Sequence, residues 1–334
     1  MKSFKDILKE HQIDLINDGS LFGDATGYGH FNKTPYPHIL KEGKEWNNLY
    51  PNIRGKAKTY FDKNKIAFWG GKTITGNTLS SQVSCLNHLF QIRYDSDATK
   101  SIIQALAGDS INIDSMIKIE SKTEIYVNQY IAFEMVSDMD RLNEGKLTRG
   151  KTCTSIDAFA IALDKDKKRH VIVIEWKLVE DDSGNKAPTN TTSKDQKLIF
   201  SGQTRVKRYG QLIQSSHSIA KLKNDTFYDS SLFNLPFYEL MRQTLWAENN
   251  KEDFMADDYL HINVIPRDNP MRHKNYKCVN NIMGIANGWK SLLTDYGKLR
   301  YVDADPYLIV ETLEKEYHNQ YSGLINYLKK RYYL

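Results

Sequence analysis

Apolar positions along this chain follow two rhythms. Near the N-terminus Phe4, Ile7, Leu8 and Leu15 recur at helical spacing and predict an amphipathic helix within residues 1–20. Residues 21–54 lose that spacing. Gly, Tyr, His, Pro and Asn dominate there, the composition of an irregular arm. A helix is expected near 55–64, followed by a turn at Gly70 and Gly71. Helical spacing returns from Ser80 to Leu89 and again over 98–107.

The rhythm then becomes that of strands. EIYVNQYIAFEMV, ending at Val136, is rich in β-branched and aromatic residues. After a polar linker come TSIDAFAIALD and HVIVIEWKLVE, two mostly apolar runs joined by KDKKR. They predict an antiparallel hairpin with a buried face. A polar, Thr- and Asn-rich loop is expected over 180–203. Helices should cover Arg205–Leu222 and Phe233–Ala247, a strand HINVIP at 261–266, and helices most of the remainder. This order implies an α/β (α+β) fold with a mixed sheet. It divides the chain into an N-terminal helix and arm (1–64), a core (65–270) and a C-terminal helical extension packed on that core (271–334).

Composition narrows the class without choosing a function. The 334 residues are 40% hydrophobic and 26% charged, as expected of a globular protein. A formal charge of +5 permits a polyanionic partner without demanding one. The 20 tyrosines suit semi-polar clefts, although core and edge positions account for most such residues. Cys85, Cys153 and Cys278 are widely spaced and lack a CxxC pair, which argues against a zinc site or a disulfide framework. No run is long and apolar enough to span a bilayer, and the polar start does not resemble a secretory leader. The expectation is a cytoplasmic protein without a membrane partner. No GxxxxGK[ST] loop or GxSxG elbow occurs, so nucleotide-cofactor and esterase chemistry are poor readings. His30, His38, His88, His170 and His217 show no ligand spacing.

Candidate chemistry lies in the hairpin. Strand side chains alternate between faces, so Glu175 and Lys177 point one way and Trp176 the other. With the hairpin in register, Asp157 lies across from them. Two carboxylates and an ammonium would then meet at one sheet end, a set suited to phosphodiester hydrolysis. Mg²⁺ binds through one or two carboxylates plus water and phosphate, and a lysine can orient water and stabilise phosphate oxygens. The Trp176 carbonyl is a natural extra ligand. Taken alone, Glu-x-Lys reads as a surface ion pair. The VIVI run leading into Glu175 shifts the balance, because charge entering so apolar a strand is costly unless it is paired or metal-bound.

SID at 155–157 followed by IEWK at 174–177 resembles the PD-(D/E)XK signature of restriction-endonuclease-like nucleases, with Ile156 in place of the proline. The resemblance implies a mixed four-stranded core sheet flanked by helices. It also implies Asp157 and Glu175 as metal ligands, Lys177 as the catalytic lysine, and Mg²⁺, with Mn²⁺ able to substitute. A wider resemblance to a group of bacterial restriction-type nucleases rests on LSSQVSCLN (79–87), TSIDAFA (154–160), PFYELMRQT (236–244), HINVIPRDN (261–269) and YLKKRY (327–332).

Supporting residues follow from placement. Glu134, on the strand before the Asp strand, is either a third acid near the metal or a residue of the sheet edge. Gln82 opens a helix where related nucleases carry a carboxylate; it either orients water or phosphate or is an ordinary helix-start residue. Gln211 stands on the helix after Glu-x-Lys, where related nucleases place a polar residue facing the site. Arg205, Lys207 and Arg208, with Tyr209 among them, form a basic turn for a DNA backbone or a solvated helix face. The resulting expectation is a restriction-type endonuclease acting on DNA, its 21–54 arm and 180–203 loop embracing the duplex. A homodimer would supply two centres for two strands. The alternatives are a repair or phage-defence nuclease without fixed specificity, and a catalytically weak DNA-binding protein of the same fold.

Overall fold

The computed structural model describes residues 2–66, 68, 73–119, 129–145, 153–181, 196–221 and 230–333, with the side chains of 196–201 left aside. In chain order the elements begin with α1 (Phe4–Asn17), the small hairpin β1 (Gly29–Phe31) and β2 (Thr34–Tyr36), α2 (Arg54–Lys63), α3 (Ser81–Leu89) and α4 (Ser96–Ala107). The central strands are β3 (Ile113–Ile117), β4 (Ile131–Met135), β5 (Ile156–Asp164) and β6 (Arg169–Trp176). Next come α5 (Gln196–Ser215), α6 (Phe237–Asn250), β7 (Asp258–Val264), β8 (Asn275–Tyr276), β9 (Ile282–Met283), α7 (Ile285–Lys290) and α8 (Asp295–Lys298). The chain closes with β10 (Tyr301–Ala304), α9 (Tyr307–Glu316) and α10 (His318–Tyr332).

Six strands form one mixed sheet in the order β10-β7-β6-β5-β3, with β4 also paired to β5. The long β5 pairs its first half with β4 and its second half with β3, so those two short strands lie end to end along one edge. The β5–β6 hairpin is antiparallel, whereas β6–β7 and β7–β10 are parallel. The sheet is therefore mixed, as expected, but wider than the four strands anticipated. The 271–334 segment is not purely helical, because it contributes edge strand β10.

Hydrophobic burial explains why VIVI sits at the centre. Val171, Ile172, Val173 and Ile174 are all fully buried, and each such side chain stabilises the fold by roughly 1.5–3 kcal/mol. Both faces are covered, so the strand is apolar throughout instead of alternating. On one face α3 receives Trp176, whose indole N–H donates to Ser84 Oγ at 3.2 Å beside His88. On the other face α6 packs Trp246 edge-on to Phe159 at 5.8 Å.

One core cluster runs from Leu8 to Tyr332, crossing all three expected segments. The arm at 21–54 is mostly irregular, but it is seated: Phe22 is fully buried and packs with Leu15, Ile16, Ala25 and Leu40. The first and last helices are laced together. Gln12 Nε2 donates to the Arg331 carbonyl at 2.8 Å, and the buried Arg331 guanidinium donates to both the carbonyl and the side-chain oxygen of Asn48. Among the described residues no helix is long and apolar enough to cross a membrane.

Candidate active site

The β5–β6 ladder pairs Ala158 with Ile174 as its last step. One step further the register sets Asp157 opposite Glu175. There the Asp157 carboxylate replaces the ladder bond, accepting from the Trp176 backbone N–H at 2.8 Å. A residue's N–H and C=O leave a strand on the same side, so the Trp176 carbonyl also faces β5. Lys177 lies two residues beyond Glu175, and its ammonium approaches Glu175 Oε1 at 2.9 Å. The expected convergence of Asp157, Glu175 and Lys177 is thus present at the end of the sheet.

The β4–β5 ladder is interrupted at the same level. Phe133 pairs with Ala158 and Met135 with Ile156, and Glu134 between them adopts a left-handed φ of +52°. A non-glycine residue held there carries strain of about 1–3 kcal/mol, which its surroundings must offset. Gln82 Nε2 donates to Glu134 Oε1 at 2.6 Å, and Ser155 Oγ donates to Oε2 at 2.8 Å. Glu134, Asp157 and Glu175 therefore occupy the same level of three consecutive strands. Gln82, Cys85, Glu134 and Asp157 line one recess beside them.

A family model described as Restriction Endonuclease associating with ARP matches residues 17–333. The chain belongs to this family. The match spans every strand of the main sheet and the helices α3, α4 and α6 that pack on it. No curated protein and no solved structure matches the chain. Family membership places the chain among nucleases related to restriction endonucleases.

Electrostatics in this restriction-endonuclease family member centre on the acids. Burial, then the Glu175 and Glu134 charges, push Asp157 well above the usual carboxylate range, against the pull of the Trp176 N–H and Lys177. Burial raises Glu175 to about 7, although Lys177 opposes the shift. The Cys85 thiol is also driven up by burial and then by Asp157, Glu134 and Glu175. Among the described residues no three His, Cys, Asp or Glu side chains form a metal cage by themselves.

Two side chains at this site escaped the sequence reading. Gln243 of α6, 4% exposed, donates its Nε2 to Glu175 Oε2, while its own Oε1 is buried with no partner among the described residues. Glu239, one helical turn earlier, accepts from the Lys177 ammonium. Loss of water disfavours the Glu239 charge, yet Lys177, Arg242 and Arg205 outweigh it and hold this carboxyl below its ordinary value. A signal was present: in FYELMRQTLW, Gln243 is a polar residue set among the buried Leu240, Met241, Thr244 and Leu245.

Other expected residues fall differently. Gln211 is exposed on α5; the glutamine bonded to Glu175 is Gln243, on the next helix. Arg205 is half-buried and engaged within the protein. It donates to the Phe233 carbonyl at 2.6 Å and stacks 3.8 Å from the Tyr238 ring centre, joining α5 to α6. Lys207 is exposed and Arg208 half-buried, the latter accepting from Asn143 Nδ2 through its carbonyl at 3.0 Å. Gln82 and Glu134 are in the site, and bonded to each other. Most of the expected 180–203 loop lies outside the described residues, and its last part is the start of α5.

A buried clasp backs the site. Glu144 accepts from Thr154 N (2.6 Å), Thr154 Oγ1 (2.7 Å), Tyr209 Oη (2.6 Å) and Arg242 Nη2 (3.2 Å). It fixes the segment leading into Asp157 against α5 and α6.

Proposed function

We propose that this chain is a divalent-cation-dependent deoxyribonuclease of the PD-(D/E)XK type, cutting duplex DNA endonucleolytically. Asp157, Glu175 and Lys177 are its catalytic set. The observation that carries this reading is the register, which sets Asp157 opposite Glu175 at the sheet end with Lys177 beside them.

The donor set suits a hard cation. Three carboxylates share one level of the sheet, burial and like charge resist ionisation of two of them, and Lys177 is already shared with Glu239. Asp157, Glu175 and the Trp176 carbonyl would hold Mg²⁺ or Mn²⁺, with water and phosphate oxygens completing the shell. Glu134 would stand beside them as a further acid. Bound there, Mg²⁺ supplies Lewis acidity and charge neutralisation to a phosphodiester.

The chain's own groups do the rest. Lys177 donates to a phosphate oxygen and to the attacking water, aligning one against the other. The Oε1 atoms of Gln82 and Gln243, buried without a partner among the described residues, are acceptors for ordered water. Restriction-type cleavage of both strands calls for two centres, which a homodimer supplies. Incubation of supercoiled plasmid with the full chain tests the reading. Mg²⁺ should give linear DNA with defined ends, and EDTA or Glu175→Ala should give none. Cleavage unchanged in EDTA would remove the cation, and unchanged cleavage by Glu175→Ala would remove the site.

A further inference from the structure

Helix α6 and strand β6 meet with matched repeats. Four residues of helix advance about 6 Å along the axis, and two residues of strand about 6.7 Å. Glu239 and Gln243 are four apart on one helix, while Lys177 stands two residues after Glu175, one past the end of β6, where its N–H still bonds the Val264 carbonyl of β7. One helical turn therefore addresses the Glu-x-Lys pair side chain for side chain. Gln243 Nε2 holds Glu175 Oε2, and Glu239 Oε2 holds the Lys177 ammonium, which also reaches Glu175 Oε1 at 2.9 Å.

Two carboxylates of different kinds thus hold the lysine. Glu175 is a proposed cation ligand, and a cation draws on the same carboxylate that Lys177 uses. Glu239 comes from another element and is not one of the proposed ligands. A flexible four-carbon side chain has many rotamers, and only an independent anchor keeps its ammonium in place once Glu175 turns to a cation. Arg242 and Arg205 stabilise the Glu239 charge from behind.

We propose that Glu239 is a positioning residue for Lys177, holding the ammonium toward the scissile phosphate while Glu175 serves the cation. This rests on the nuclease reading above. Glu239 touches neither substrate nor cation and acts through the lysine.

The test is steady-state cleavage of supercoiled plasmid in Mg²⁺ by the full chain, with thermal melts as a check on folding. Glu239→Ala should lower kcat by about 10–100-fold, the range found when a supporting residue of an active site is removed, with KM for DNA nearly unchanged. Glu239→Gln keeps an oxygen acceptor for the ammonium and should recover part of that loss. In a Lys177→Ala background, Glu239→Ala should change the residual rate by less than about twofold, because its effect passes through the missing lysine. Wild-type kcat in Glu239→Ala, with Lys177→Ala inactive, overturns the proposal. So does a further large loss in the double variant, or a loss confined to KM. Full activity of Lys177→Ala itself overturns the nuclease assignment on which the proposal rests, a distinguishable result.

Discussion

Asp157 and Glu175 are acids whose surroundings resist their charge, and this makes their ionisation a matter of stability as well as chemistry. The ordinary values are 3.8 and 4.5, and burial holds Asp157 well above its value and Glu175 at about 7. The folded protein therefore keeps protons that the unfolded chain has released. Without a cation, stability falls as pH rises through that window, from about 4.5 to 7 for Glu175. Asp157→Asn removes one of the competing charges and retains an acceptor for the Trp176 N–H. In EDTA at pH 8 it should melt at or above the wild-type temperature. Mg²⁺ should raise the wild-type midpoint by mass action and that of Asp157→Asn very little. Equal shifts on adding Mg²⁺ would exclude Asp157 as a ligand. Lys177→Ala, by contrast, should fold and bind DNA but lose cleavage by at least about two orders of magnitude, read from plasmid nicking. These three residues were legible in the sequence because charge interrupts an otherwise apolar hairpin. Glu239 was not, because a single acid on an amphipathic helix looks like solvent-facing polarity until the strand opposite it is known.

At the level of elements, the hairpin was the most legible part. Its two long apolar runs and short polar turn fix both pairing and register, and the ladder agrees from Leu163↔Arg169 to Ala158↔Ile174. Helix α6 lies close to its expected place, whereas α5 starts at Gln196 and ends at Ser215, well before the expected Arg205–Leu222, and takes in the end of the expected 180–203 loop. Strands β3 and β10 were not anticipated. Each is four or five residues long and takes its stability from a partner distant in sequence: β3 from β5, and β10 from β7. Periodicity over so few residues cannot separate strand from loop. Helix α6 also carries the clasp on Glu144, whose side chain is 3% exposed. Arg242→Ala leaves that buried carboxylate without its cationic partner, and chemical denaturation should show a loss of about 3 kcal/mol. Loss below about 0.5 kcal/mol would show that Thr154 and Tyr209 suffice.

Across the whole molecule, two buried histidines set the acid limit. Burial lowers His88 from 6.5 to about 4 and His261 to about 3. His88 donates through Nδ1 to the Ser84 carbonyl at 2.7 Å and accepts at Nε2 from Tyr333 Oη at 2.7 Å, a pairing that a charged ring would break. Unfolded chains take up protons near pH 6.5 that the native protein refuses. Stability from this source is complete above pH 6.5 and is lost toward pH 4, by up to about 1.4 kcal/mol per pH unit for each ring. Urea unfolding at pH 7, 6 and 5 should show a shallower decline in His88→Gln, and an identical slope would dismiss the idea. Tyr333, which donates to that ring, directly follows α10, and Arg331, which seats Asn48, lies in its last turn. This lacing has a consequence in time. A ribosome releases Asn48 long before Arg331, so the early segment waits for its partner until synthesis has passed α10. A polypeptide stopped before Tyr327 should stay sensitive to protease and leave plasmid uncut. The proposed nuclease would thereby stay silent until α10 has been made.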